Sequence, residues 1–250
     1  MKIINLRSVL KTLPLLIAIF LSAGCSWIET VESTKIRQSE IAQHYTVRAN
    51  RDQTIVSAYF QQGNWGKSVD LDAPSRIEDN GRELSQSSLN ILGVSYGVRI
   101  DSFEAAHSFV YTNNDGRIFR NELTVEPLEI TAEEVAVNRS QETRIALSRA
   151  VGDDEKITVS LKSELTPPAG ANTNARPKKP VEDYEISLNN ELDATRTLIV
   201  LKPKNLKNFV IGKAVLTVET SRELPLRQQN PAGGKMSWSY SSTRSAGVAN

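Results

Sequence analysis

Apolar and polar residues alternate with a period of two along most of the chain. In the segment 94–100, for example, Ser95, Gly97 and Arg99 separate apolar side chains that stand at every second position. Because successive side chains of a strand point to opposite faces of a sheet, this pattern predicts strands that bury one face. Periods typical of helices are few, and the best helical candidate is a weak pattern at 83–92. We therefore predict an all-β fold.

A tight turn separates two of these alternating runs. The runs cover 108–112 and 117–125, and the sequence N-N-D-G occupies 113–116 between them. An Asp-Gly pair supplies the positive φ angles of a tight turn, so the segment predicts a β-hairpin. Part of the spacing also matches a calcium-binding loop, but Tyr111 stands where the first carboxylate ligand belongs. A hairpin turn accounts for the whole segment without a metal.

A second series of alternating runs follows the first along the chain. Its members are 143–147, 156–165, 184–188, 198–201, 210–218 and 236–240. Short strands that recur about every 8–12 residues are typical of β-sandwiches. The break between the two series falls at 127–131, and each side has the size of an Ig-like domain. The sequence thus predicts two Ig-like β-sandwich domains in tandem, with one large barrel as the alternative.

The first 24 residues have a composition of their own. A basic start without acidic residues leads into an apolar run at 13–21, and three small residues then precede Cys25. These three parts in this order are typical of a secretory signal peptide. The apolar run is much shorter than the roughly 20 residues needed to span a bilayer. We therefore predict that residues 1–24 are removed during export.

The end of this segment reads L-S-A-G-C at 21–25 and resembles the lipobox of bacterial lipoproteins. The resemblance implies cleavage between Gly24 and Cys25, diacylglycerol on the Cys25 sulfur and usually acylation of the new amino terminus. Ser22 occupies a position where leucine is commonest and serine is tolerated. In lipoproteins of the enteric type, an aspartate after the cysteine favours the inner membrane. Ser26 stands there in this chain, so the resemblance implies the outer membrane.

These patterns divide the chain into segments. We expect a signal peptide at 1–24, a lipidated N-terminus and short tether at 25–43, a first β-sandwich at 44–128, a second at 129–241 and a frayed tail at 242–250. The second sandwich includes a stretch rich in proline, glycine and asparagine at 166–180. We expect that stretch to be a disordered loop between two strands, with a domain linker as the alternative.

The cysteine content bears on the source of stability, and the net charge bears on the classes of partner that the protein could bind. Cys25 is the sole cysteine, so an internal disulfide is excluded and stability must come from a buried core. The chain has 30 basic and 29 acidic residues, and loss of residues 1–24 removes three of the positive charges. The resulting charge, near −2, gives no general argument for nucleic acid. The expected partners are the membrane, through the lipid, and a protein or glycan of the envelope.

Patterns associated with catalysis have simpler structural explanations. The sequence G-V-S-Y-G at 93–97 matches the nucleophile elbow G-x-S-x-G, but it lies inside an alternating strand. Of the two histidines, His44 precedes that serine and His107 follows it by only twelve residues. Two distant histidines and no free cysteine also argue against a zinc site. We therefore expect no catalytic residue, metal or cofactor.

A tryptophan in a turn is the first candidate binding feature. The sequence G-N-W-G at 63–66 predicts an exposed turn that contains Asn64 and Trp65. A tryptophan there can stack on a sugar or anchor a partner. The alternative is that Trp65 folds back over the end of the sandwich.

A group of lysines is the second candidate. Lys202, Lys204 and Lys207, together with the basic residues of 176–179, would form a basic patch facing anionic envelope polymers. The alternative is a solvated turn without a partner.

We predict from these features a non-enzymatic envelope lipoprotein whose β-sandwiches present loops and edges to a protein or glycan partner. One alternative is a carboxylate-dependent enzyme acting on polysaccharide, because 29 acidic residues offer many pairs of the type that glycosidases use. Another is a surface-exposed adhesin or exclusion factor. A concave sheet face carrying acids and aromatic residues would favour the enzyme.

Overall fold

The computed structural model describes residues 29–63, 66–89, 93–165, 185–189 and 192–250, and within them the fold is nearly all β. The predicted all-β fold built from sandwiches is confirmed. Outside the described residues lie the predicted signal peptide with Gly24 and Cys25, the predicted binding residues Asn64 and Trp65 and the predicted loop 166–180.

Seventeen strands and one short helix make up the regular structure of these ranges, apart from two 3-10 turns at Ser33–Lys35 and Gln38–Glu40. The strands are β1 (Thr30–Glu32), β2 (Ile41–Ala49), β3 (Thr54–Gln62), β4 (Ser68–Asp70), β5 (Arg76–Asp79), β6 (Arg82–Glu83), β7 (Ser85–Leu89), β8 (Gly93–Ile100), β9 (Ala106–Thr112), β10 (Ile118–Thr124), β11 (Glu134–Asn138), β12 (Thr143–Ala146), β13 (Lys156–Ser163), β14 (Glu185–Asn189), β15 (Leu198–Leu201), β16 (Gly212–Pro225) and β17 (Gly234–Ala249). The helix, α1 (Pro203–Leu206), lies between β15 and β16. Within the part of the chain that the structure describes, no helix is long and apolar enough to cross a membrane.

The strands form three sheets. The largest has the order β1-β4-β3-β2-β17-β16-β13-β14, with β8 also paired to β3, β7 paired to β8, and β11 paired to β17. The second has the order β10-β9-β5-β6, and the third is the pair β12-β15. The β9-β10 pair is the predicted hairpin, and in its turn Asn113 Oδ1 accepts hydrogen bonds from the amides of Asp115 and Arg117. The hairpin prediction is therefore confirmed.

The first core lies between one half of the large sheet and the four-stranded sheet. Strands β2, β3, β8 and β17 cover one side of it, and β5, β9 and β10 cover the other. Trp238, Tyr45 and Phe109 are among its largest buried side chains, and the rings of Tyr45 and Phe109 stack with centroids 4.6 Å apart. Because aromatic side chains bury the most apolar area, they contribute a large part of the stability of this sandwich.

The second core lies between the other half of the large sheet and the pair β12-β15. Its side chains are mostly aliphatic, and Leu161, Leu216 and Ile199 are fully buried in it. Phe209, just after α1, is its one aromatic residue among those that the structure describes. The two cores therefore differ in composition as well as in position.

Strands β16 and β17 run through both cores as one long hairpin. Their pairing is continuous from Gly212, opposite Val248, to Pro225, opposite Lys235. The first half of β17 pairs in parallel with β2, and its second half pairs in parallel with β11. One strand thus buries Trp238 in the first core and Val248 in the second.

Glu129 fastens the connection between the two cores to β17. Its carboxylate accepts hydrogen bonds from the hydroxyl of Tyr240, from the hydroxyl of Ser242 at 2.8 Å and from Arg244 at 3.1 Å. The Ser242 hydroxyl in turn accepts a hydrogen bond from the amide of Ile130 at 3.1 Å. Burial, and then the bond to Glu129, raises the pKa of Tyr240 above its ordinary value. The tyrosine therefore keeps its proton and remains a donor.

Three predictions about local elements are wrong. Residues 242–249 are not a frayed tail but the end of β17, paired to β16 over most of its length and to β11 from Ser245 onward. Residues 29–43, expected to be part of a tether, include β1, which pairs with β4, and the buried start of β2. The weak helical pattern at 83–92 contains β7 instead. For the first two segments the pairing partner lies far away in the sequence, which a local pattern does not contain, whereas β7 pairs with the next strand, β8.

The predicted division into 44–128 and 129–241 does not separate the two cores. The change from the first core to the second does fall between Val125 and Leu128. However, Leu226, Met236 and Trp238 belong to the first core although they follow the second along the chain. The first sandwich is therefore completed by residues that the prediction assigned to the second domain.

Candidate functional site

A groove of about 560 Å³ lies on the outer face of the first sandwich, on the side of β2, β3 and β8 that faces away from the core. Alternate side chains of these strands fill the core, so the side chains between them point into the groove. On that face the groove is lined by Thr46, Arg48, Ile55, Ser57, Tyr59, Gln61, Ser95, Gly97 and Arg99, and by Ser87 of β7.

Tyr59 forms an aromatic wall of this groove. The strand register places it between His44 of β2 and Ser95 of β8. The Tyr59 ring stacks on the His44 ring, with centroids 4.4 Å apart and an angle of 7° between the planes. One face of the tyrosine ring is therefore covered, and the other is left toward Ser95. A fixed aromatic face beside polar groups is suited to stacking on a flat or partly apolar ligand.

His44 holds the Tyr59 ring and is itself nearly buried. Only 8% of its surface is exposed, and neither ring nitrogen has a hydrogen-bond partner among the described residues. Burial lowers the pKa of His44 below its ordinary value of 6.5, and the nearby Lys235 lowers it further, while Glu223 opposes the shift. The imidazole is therefore neutral near pH 7 and supports the tyrosine by stacking.

This environment makes stability depend on pH in a defined direction. Below about pH 6.5 the unfolded chain protonates His44 while the folded chain does not, so the free energy of unfolding falls as the pH decreases. A single titrating group changes the free energy of unfolding by at most about 1.4 kcal/mol per pH unit. We expect His44→Phe, which keeps a ring against Tyr59, to lose this part of the pH dependence. Urea unfolding of both proteins at about pH 7.5 and 5.5 measures the difference, and an equal pH dependence in both would contradict the expectation.

The floor of the groove beyond Tyr59 consists of small residues. Ser57 of β3 lies in register with Thr46 on one side and Gly97 on the other. A Cβ atom at Gly97 would lie 2.9 Å from the carbonyl oxygen of Val56, closer than side chains tolerate. The Ser57 hydroxyl makes no hydrogen bond to another described residue, so it is available to a ligand.

Two arginines stand at the far end of the groove. Arg48 of β2 and Arg99 of β8 lie on either side of Ile55 in register across three adjacent strands. No aspartate or glutamate is among the described residues that line the groove. The groove therefore combines an aromatic face, hydroxyl groups and positive charge, but it does not bring together the acids that the enzyme alternative requires.

A separate group of ionisable side chains lies beside the four-stranded sheet, and Asp79 and His107 of this group are buried. Ligand atoms of Asp79, Glu104 and His107 lie within 4.8 Å of one another, a spacing that suits a metal ion. Arg82 already supplies a cation there, since its guanidinium donates to both Glu104 oxygens and lies 3.7 Å from Asp79. Both nitrogens of His107 are also engaged, Nδ1 at 2.9 Å from Asp79 and Nε2 at 3.1 Å from the Glu104 carbonyl. We interpret this group as a structural network.

The G-x-S-x-G pattern at 93–97 lies in β8, as its alternation predicts. The Ser95 hydroxyl donates a hydrogen bond to the carbonyl of Ser87 at 3.3 Å. Tyr59 lies between Ser95 and His44 in the strand register, and His107 is bonded to Asp79. The interpretation of this pattern as an ordinary strand is therefore confirmed.

The predicted lysine patch surrounds α1. Lys202, Lys204 and Lys207 are all exposed, and the last two line a shallow hollow of about 330 Å³ together with Arg139. Arg139 donates hydrogen bonds to the carbonyl oxygens of Phe209 and Lys207, at 2.9 and 3.0 Å, and so holds this loop in place. The basic residues of 176–179 lie outside the described ranges. A partner for this patch remains a prediction.

Tyr59, Arg48 and Arg99 did not stand out in the sequence. The alternation in 54–60 does contain a signal, because Tyr59 occupies a position between buried residues, where a polar side chain is expected. What a single strand does not reveal is that β2 and β8 flank it and bring both arginines to the same face.

Comparisons with known proteins identify no family. No protein-family model matches the sequence, and no curated protein matches it. Solved structures that match include the Bacteroides ovatus mixed-linkage glucan utilization locus protein SGBP-B in complex with a mixed-linkage heptasaccharide, at a TM-score of 0.25 and 10% identity over 80% of this chain and 55% of that one. The Yersinia pseudotuberculosis adhesin InvE matches with a TM-score of 0.21 and 9% identity, over 82% of this chain and 59% of that one. The FN1–FN3 domains of chicken CNTN1 match with a TM-score of 0.19 and 12% identity, over 83% of this chain and 66% of that one. The chain thus spans between 55% and 66% of the length of these structures, and TM-scores of this size place it in none of their families.

Proposed function

We propose that this protein is a non-enzymatic binding module of the bacterial envelope that holds a glycan in the groove of β2, β3 and β8. The observation that carries the proposal is the fixed, partly exposed ring of Tyr59, stacked on His44 at 4.4 Å beside a floor of small hydroxyl-bearing residues. Sugar rings have apolar faces and hydroxyl edges, and these two surfaces complement them.

The position of the groove supports a ligand rather than a structural role. Its side chains lie on the outer face of the sheet, where the described structure packs no second layer against Tyr59, Ser57 and Arg48. An aromatic residue on such a face is a common anchor of binding sites. The absence of acidic side chains from the described lining gives the polysaccharide-cleaving alternative no support.

The lipobox resemblance at Cys25 adds a membrane anchor to the proposal. Lipid on Cys25 would keep the module at the envelope, most simply at the outer membrane. Residues 29–49 enter the first sandwich directly through β1 and β2. The groove would therefore work close to the lipid, with few residues between Cys25 and the folded body.

Replacing Tyr59 by alanine tests the proposed site. We expect Tyr59→Ala to bind the glycan at least about tenfold more weakly than the wild type, because the stacking face is lost. Tyr59→Phe keeps the ring and should bind within a few fold of the wild type. Affinity electrophoresis against a panel of neutral and acidic polysaccharides, followed by calorimetry on the best ligand, measures the effect.

Ile118→Ala is the matched control. Ile118 is an exposed hydrophobic residue of β10, on the opposite sheet of the same sandwich. Its truncation should leave glycan binding unchanged. Equal binding by Tyr59→Ala and wild type would show that the glycan does not use this groove, and failure of every polysaccharide to bind would refute the proposed function.

A further inference from the structure

The end of the groove away from Tyr59 has a net positive charge, because Arg48 and Arg99 have one acidic neighbour, Asp101, among the described residues that pair with them. Arg48 is exposed and makes no ion pair with another described residue. Arg99 lies 3.3 Å from Asp101, but their side chains are 68% and 89% exposed, and such a pair contributes little in water. The Arg48 guanidinium can therefore bind a ligand directly, and Arg99 can do so by exchanging its exposed bond to Asp101.

The strand register fixes how far apart these groups are. Arg48 and Arg99 are two strands apart, so their backbones are separated by about 10 Å, at about 4.8 Å per strand. Ile55 lies between them and is four residues from Tyr59 along β3, a distance of about 13 Å. Only a ligand longer than one sugar ring can touch Tyr59 and the arginines together.

We propose that the groove takes an acidic polysaccharide, which stacks one sugar ring on Tyr59 and places an anionic group between Arg48 and Arg99. This inference rests on the proposed function and names its ligand class. Guanidinium groups bind carboxylates and sulfates through paired N–H donors, and these bonds are stronger than those between neutral groups. The sugar chain would run along the strands, over the floor formed by Ser57 and Gly97.

The structure favours a polysaccharide over an acidic peptide in this groove. Strands β2, β3 and β8 each have neighbours on both sides, so a peptide could not add to them as a further strand. The floor instead presents the Ser57 hydroxyl, together with the Thr46 hydroxyl, which is 3.3 Å from that of Ser237 and has capacity for a further bond. These groups match the many hydroxyls of a sugar chain. The experiment also includes anionic lipid vesicles, because a membrane surface is another source of anionic groups.

The experiment compares one polymer in charged and neutral forms. Polygalacturonate carries a carboxylate on every sugar, and its fully methyl-esterified form has the same backbone without charge. We expect the full chain to bind the charged form at least about tenfold more tightly, and to lose this preference as the ionic strength is raised. Alginate, hyaluronate and dextran sulfate test whether other carboxylated or sulfated chains are accepted.

Substitution of the two arginines tests whether the preference for the charged polymer arises in this groove. Arg48→Gln and Arg99→Gln should each weaken binding of the acidic polymer by about tenfold and weaken binding of the neutral form by a clearly smaller factor, because only the acidic polymer loses an ion pair. Arg120→Gln makes the same charge change on β10, at an exposed position of the opposite sheet, and should have no effect. Circular dichroism confirms that each variant is folded.

The outcomes separate this inference from the proposed function. Equal binding of charged and esterified polymers, with Tyr59→Ala weakening both, would overturn the acidic ligand and leave a glycan-binding groove. Binding to phosphatidylglycerol vesicles, without binding to any acidic polysaccharide, would overturn the inference in favour of a membrane surface. Failure of all polysaccharides, charged or neutral, would overturn both proposals.

Discussion

Gly234→Ala is expected to lower the free energy of unfolding by about 3 kcal/mol, because backbone strain and a steric clash both contribute. Gly234 begins β17 with a φ of +142°, a region that residues with a side chain rarely adopt. A Cβ atom built there would lie 1.9 Å from the carbonyl oxygen of Gln43 and 2.8 Å from its amide nitrogen. Backbone atoms cannot rotate away as a side chain can, so β17 would have to separate from β2. Urea unfolding followed by tryptophan fluorescence measures the loss.

Gly247→Ala is the control on the same strand. A Cβ atom at Gly247 would meet nothing within 4 Å. This substitution should leave stability unchanged or raise it by less than about 1 kcal/mol, because alanine restricts the unfolded chain. If Gly234→Ala were as stable as Gly247→Ala, the conclusion that β17 lies too close to β2 at Gly234 to admit a side chain would be wrong.

Asp79→Ala is expected to destabilise the protein by about 3–5 kcal/mol. The side chains of Asp79 and His107 are both fully buried, 2.9 Å apart, and removal of the carboxylate leaves His107 Nδ1 without its partner. The other nitrogen of His107 donates to the Glu104 carbonyl and cannot compensate. Arg82 also loses the second of its two carboxylate neighbours. Chemical unfolding at pH 7 gives the free-energy difference.

Glu78→Ala, one residue earlier on β5, provides the comparison. Its ion pair with Arg76 has a similar distance, 2.9 Å, but the side chains are 28% and 51% exposed. Water screens such a pair, so its loss should change stability by less than about 1 kcal/mol. A similar effect for the two substitutions would mean that the Asp79–His107 pair is solvated rather than buried.

Local sequence patterns were sufficient to predict most strands and the hairpin at 106–124. Alternation and an Asp-Gly turn act over a few residues, and they are visible without knowledge of the fold. The patterns were insufficient wherever a strand is stabilised by a distant partner. The segment 242–249 contains only one large apolar residue, Val248, yet it forms part of β17 because β16 and β11 satisfy its backbone. Pairings of this kind are set by tertiary packing.

The candidate site shows the same limit. Trp65 and the lysines are recognisable in the sequence because a tryptophan in a turn and a cluster of lysines are unusual, whereas Tyr59, Arg48 and Arg99 are ordinary residues of predicted strands. These three residues come to lie on one face only because β2, β3 and β8 are neighbouring strands of the same sheet. The sequence alone does not predict that His44 stacks on Tyr59, because this contact depends on the register of two strands.

The long β16–β17 hairpin has a consequence for biosynthesis. Residues 212–249 supply strands to both cores, so the ribosome must produce them before either core can close. The nascent chain would therefore stay without a finished core for most of its translation. A polypeptide that is threaded through a narrow secretion channel must remain extended until it has crossed, and this late closure suits the export proposed for this protein.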